Sequence, residues 1–99
     1  MRRCRSVCAA IAALVASSAG QASLAATCAE RPVQARGDPS RFEVVAKAKA
    51  RGNWRARVRA MPTLGAAYAD WNKASDADYR CSQEDGRYLC IAVARPCRD

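Results

Sequence analysis

The chain contains no histidine in 99 residues. Imidazole is the usual general base near neutral pH, so its absence removes Ser-His-Asp and Cys-His catalysis and histidine metal sites. No Cys-x-x-Cys pair occurs and no glycine-rich phosphate loop is present, which excludes the thioredoxin-type redox motif and the common nucleotide cradles. Cys81, Cys90 and Cys97 are separated by eight and six residues, a spacing that offers zinc no familiar ligand set. Asp76 with Asp78, and Glu84 with Asp85, are the remaining carboxylate pairs, and turn and cross-strand roles explain them more simply than acid-base chemistry. No enzyme activity and no cofactor is expected.

Charge is missing from one stretch and acidic charge from another. No Asp, Glu, Lys or Arg occurs between Arg5 and Glu30. Met1–Arg5 is basic, Val7 to Ala16 is apolar and Ser17 to Ala26 is small and polar, the three-part form of a cleavable export signal. Small residues permit a cut after Ala25 or after Ala22. The apolar run is about half of the ~20 residues that a membrane span requires, so no stable span is expected in the mature chain. Residues 1–25 are therefore expected to be lost, with Cys4 and Cys8, and the product to be periplasmic or secreted.

What remains carries 14 basic against 9 acidic residues, a net charge of +5, and four cysteines. An even cysteine count bound for an oxidising compartment implies two disulfides, and a chain this short has a small core that gains from such staples. Asp85-Gly86 is the dipeptide favoured by a two-residue type I′ turn. Counting back from it puts Glu84 opposite Arg87, Gln83 opposite Tyr88, Ser82 opposite Leu89 and Cys81 opposite Cys90, the last at a position where cross-strand side chains come closest. A Cys81–Cys90 bridge follows, leaving Cys28 to pair with Cys97, although four cysteines allow three connectivities.

Coarse elements follow from periodicity. Residues 26–37 read as an irregular N-terminal arm, and residues 38–99 as a small α+β domain. A first helix is expected over about 39–61, capped by Asp38 or Ser40, with Phe42, Ala46, Ala50, Trp54 and Val58 as an i, i+4 apolar row. Gly52 weakens its middle and invites a bend. A second helix is expected over about 64–74, started by Thr63, with Leu64, Tyr68 and Trp71 inward. The hairpin spans about 78–95, with Tyr79, Cys81, Tyr88, Cys90, Ala92 and Ala94 on the preferred inner face. The expected fold is thus two helices packed on a two-stranded antiparallel hairpin, stapled by disulfides.

From Val44 to Ala69 there is no acidic residue, while Lys47, Lys49, Arg51, Arg55, Arg57 and Arg59 fall in the same stretch. Lys47, Arg51, Arg55 and Arg59 form an i, i+4 row of their own, the candidate anion-binding face. The bland alternative is a solvated face whose long stems cover the edge of the apolar row. The partners expected of a binding face are an anionic envelope polymer or an acidic protein. Nucleic acid is the least favoured anion, because the core claims both tryptophans that could stack bases. Membrane disruption is disfavoured by the small residues of the helix. A second route to function is a protein-interaction or inhibitor surface on the hairpin, should Leu89, Ile91 and Val93 be exposed together.

Overall fold

The computed structural model describes residues 27–99, so the expected export segment, with Cys4 and Cys8, lies outside the described residues. In chain order the elements are β1 (Thr27–Cys28), β2 (Val33–Arg36), α1 (Glu43–Ala60), two single 3-10 turns (Ala66–Tyr68 and Trp71–Lys73), β3 (Ser75–Glu84), β4 (Arg87–Arg95) and β5 (Cys97–Arg98). The described residues thus hold one α-helix, a three-stranded antiparallel sheet in the order β2-β4-β3, and a two-stranded β1-β5 pair. Two helices on a two-stranded hairpin is not the fold.

The hairpin forms around Asp85 and Gly86, whose φ values of 52° and 73° are the left-handed conformations that a type I′ turn needs. Its register pairs Glu84 with Arg87, Gln83 with Tyr88, Ser82 with Leu89 and Cys81 with Cys90. Disulfides join Cys81 to Cys90 and Cys28 to Cys97. The first crosses two neighbouring strands; the second ties β1 to β5, where Cys28 and Cys97 are direct partners.

Within the stretch expected to be an irregular arm, residues 33–36 form a sheet edge. Val33, Gln34, Ala35 and Arg36 pair with Ala94, Val93, Ala92 and Ile91. Val33 and Ala35 are buried while Gln34 and Arg36 are exposed, the period-2 alternation of a half-buried strand. Four residues are too few for that alternation to stand out in the sequence. Gly37 N–H donates to the Cys90 carbonyl at 3.0 Å, and Ser40 and Tyr88 exchange two bonds at 3.0 and 2.6 Å, extending the same edge.

Helix α1 is continuous through Gly52 and begins four residues later than expected. Its N-cap is Phe42, with extended φ −111° and ψ 127° and no side-chain cap bond. Ser40 Oγ instead accepts from Phe42 N–H at 3.3 Å. Ala46, Ala50, Trp54 and Val58 are wholly buried, as the apolar row requires, but Phe42 is 67% exposed. The helix has not yet begun at Phe42, so its side chain does not continue the row. Gly37 brings helix and sheet together: a Cβ there would stand 2.5 Å from the Ala50 backbone nitrogen. With alanines at 46 and 50 opposite, the helix lies almost backbone to backbone on the sheet edge.

Trp54 locks this arrangement. Its indole N–H donates to the Val33 carbonyl at 3.1 Å and to the Ala94 carbonyl at 3.3 Å, tying the helix to β2 and β4 together. Trp71 meets Trp54 edge to face with centroids 5.1 Å apart, and lies against Tyr79 at 5.2 Å. The cysteine-bearing face of the hairpin is the inner one, with Cys90, Ala92 and Ala94 wholly buried.

The expected second helix over 64–74 does not form. Gly65 adopts φ 77° and ψ −166°, a conformation essentially confined to glycine and incompatible with a helix. At Asp70 the chain is extended again, and its carboxylate accepts from Asn72 N–H to start a separate turn. Leu64, Tyr68 and Trp71 nonetheless pack on the core, carried there by turns.

Candidate anion-binding face of the helix

Between its first residue, Glu43, and its last, Ala60, α1 falls into four rows of i, i+4 spacing. Ala46, Ala50, Trp54 and Val58 form the buried row. Next to it run Lys47, Arg51, Arg55 and Arg59; beyond them Val44, Ala48, Gly52 and Ala56 face solvent, and Val45, Lys49, Asn53 and Arg57 complete the circle. The candidate row is therefore the immediate flank of the core, and its position explains its burial. Lys47, Arg51 and Arg55 are half-buried, while Arg59, near the end of the helix, is exposed.

The first two members are engaged with the fold. Lys47 Nζ lies 3.8 Å from Glu43 Oε2 and 5.7 Å from the centre of the Tyr79 ring. Arg51 Nη1 donates to Tyr79 Oη at 3.1 Å. Both cations thus sit on Tyr79, whose ring lies against Trp71. Tyr79 as the seat of both cations was not visible from the sequence, because contact depends on how far the helix crosses the hairpin.

Arg55 and Arg59 differ. Among the described residues no carboxylate forms an ion pair with either, the ion pairs there being Lys47–Glu43, Lys73–Asp99 and Arg95–Asp76. On the opposite side of the helix Arg57 lines a shallow concavity with Pro32, Val33, Gln34 and Met61. Asn53 is spent on structure, its Nδ2 donating to the Arg36 carbonyl at 2.8 Å. Lys73 is also committed: its 2.6 Å hydrogen bond to Asp99, then the charge of that carboxylate, raise its pKa.

Comparison with protein-family models, curated proteins and solved structures returned no match.

The hairpin's outer face is the other surface singled out by the sequence. Leu89 and Ile91 are half-buried and Val93 is 9% exposed, so the three do not stand out together. Among the described residues the large apolar side chains most open to solvent are instead Phe42 at 67%, Val44 at 74% and Val45 at 38%, all at the start of α1. Periodicity hid the first of these by assigning Phe42 to the buried row.

Proposed function

We propose that this chain is an exported, non-enzymatic binding module that presents the basic flank of α1 to anionic components of the cell envelope. The observation that carries the reading is the contrast within one row. Lys47 and Arg51 are occupied by Glu43 and Tyr79, while Arg55 and Arg59 continue the row with no carboxylate partner among the described residues. The stretch from Val44 to Ala69 also has no acidic side chain to neutralise them. Two bridges are compatible with an oxidising compartment, and no described helix is long and apolar enough to cross a membrane.

Binding of this kind depends on unscreened charge, and the Debye length falls from about 10 Å at 0.1 M salt to about 3 Å at 1 M. The test is binding of the oxidised protein to an immobilised anionic envelope polymer at graded salt. The expected result is retention at low salt that falls steeply as salt rises; no retention at low salt overturns the reading.

The second reading, a protein-interaction or inhibitor surface on the hairpin, has less support, because Leu89 and Ile91 are half-buried and Val93 is nearly covered. Capture that survives high salt and is lost on Ile91→Ser would favour it.

A further inference from the structure

The apolar residues at the start of α1 narrow the kind of anion. Phe42, Val44 and Val45 are the exposed large hydrophobic residues of the described chain, and they fall within four consecutive positions. Scattered apolar residues on a surface need no explanation, but a cluster of all of them at one spot does. The cap geometry of Phe42 turns its ring away from the core, and Val44 heads the outward row that continues through Ala48, Gly52 and Ala56. Cations border the cluster: Arg41 precedes it, and Lys47 and Lys49 follow within one turn. Glu43, the acidic residue among them, lies 3.8 Å from Lys47 Nζ, which offsets its charge.

A soluble polyanion has no use for an exposed phenylalanine and two valines. A bilayer surface has use for both halves of this arrangement. Its anionic head groups attract Lys and Arg, and its acyl boundary takes up apolar side chains that project a few ångströms below the charges. The flat row of Ala48, Gly52 and Ala56 would let the helix lie close to the surface, while the stems of Lys49, Arg55 and Arg59 reach down on either side to phosphates. We infer that α1 attaches the protein to an anionic lipid surface, with Phe42 and Val44 as the inserted side chains. This rests on the anion-binding reading above and specifies its partner. Two inserted apolar side chains give shallow attachment, not disruption of the bilayer.

The experiment is co-sedimentation of the oxidised protein with vesicles of phosphatidylglycerol and phosphatidylcholine, and with vesicles of phosphatidylcholine alone. It is run beside binding to heparin as a soluble polyanion, for wild type and for the double variant Phe42→Ser, Val44→Ser. Both substituted positions are exposed, so the variant keeps the fold. The expected result is binding to the anionic vesicles and not to the neutral ones. The variant should lose about tenfold or more in vesicle affinity and keep its affinity for heparin. Equal vesicle binding by variant and wild type overturns the lipid assignment while leaving the anion-binding reading in place. A wild type that binds neither anionic vesicles nor heparin overturns both.

Discussion

The β3–β4 hairpin and the segment from Met61 to Ala74 both carry clear sequence patterns, yet only the first adopts the structure its pattern describes. In the hairpin the signal concerns the backbone itself. Asp85-Gly86 satisfies a positive-φ turn, and the two cysteines fall opposite each other in the register which that turn sets. In the second segment the signal concerns side chains alone. Leu64, Tyr68 and Trp71 at i, i+4 and i+7 do point to one side, but two tight turns deliver them there as well as a helix would. Periodicity reports which residues share a face and leaves open which backbone holds them.

The comparison can be broken hardest at the residue on which both regions lean. Trp54→Ala removes a wholly buried indole, its two bonds to strand carbonyls and the surface against which Trp71 packs. It should cost about 3–5 kcal/mol in chemical denaturation, enough to unfold a small domain at ambient temperature. Replacing Cys81 and Cys90 together with alanine should cost about 3 kcal/mol by loop entropy. The Asp-Gly turn should still hold the register, so amide exchange at Arg80, Ser82, Leu89 and Ile91 should quicken without a change in pattern. Gly65→Ala forces a side chain into the glycine-only conformation and should cost about 1–3 kcal/mol. Exchange should rise first between Met61 and Ala74, with the hairpin amides keeping their protection. Gly52→Ala runs the other way: nothing lies within 4 Å of the added methyl, so thermal denaturation should show stabilisation by up to about 1 kcal/mol.

Much of the core was legible, and for local reasons. The row of Ala46, Ala50, Trp54 and Val58 and the hairpin register follow from a period of four and from one dipeptide, whereas the period of two separates the hairpin faces without deciding which is inward. What escaped depends on partners distant in sequence. Strand β2 is defined by its pairing with β4, about sixty residues further on, and four residues of alternation cannot announce that. Phe42 fell outside the core because the cap lies later than either candidate residue suggested. Within the basic row, the sequence marked all four cations alike, whereas the crossing of the helix over Tyr79 separates Lys47 and Arg51 from Arg55 and Arg59.

One further feature of β3 depends on the fold. The Cys90 carbonyl is taken by Gly37, so Cys81, and Tyr79 two residues before it, direct their backbone polar groups to the free edge of the sheet. Asp78 Oδ1 accepts from that Tyr79 N–H at 2.8 Å. The sheet order leaves this strand without an outer neighbour, and the carboxylate blunts an edge that could otherwise pair with another chain.

The central functional claim is that α1 uses one flank for the fold and leaves Arg55 and Arg59 to meet an anion. It is tested most directly by comparing Arg55→Glu, Arg59→Glu with Arg31→Glu, Arg80→Glu, two double variants of identical net charge. Arg31 and Arg80 are both exposed and lie off the helix. Arg59 is exposed and Arg55 half-buried, so denaturation of both variants is measured alongside, and stability should stay within about 1 kcal/mol of wild type. The measurement is the salt concentration at which each protein leaves an anionic envelope polymer. A fall confined to the helix variant is the predicted result. An equal fall in both would mean that total charge governs retention and that the basic flank of α1 is only a solvated surface.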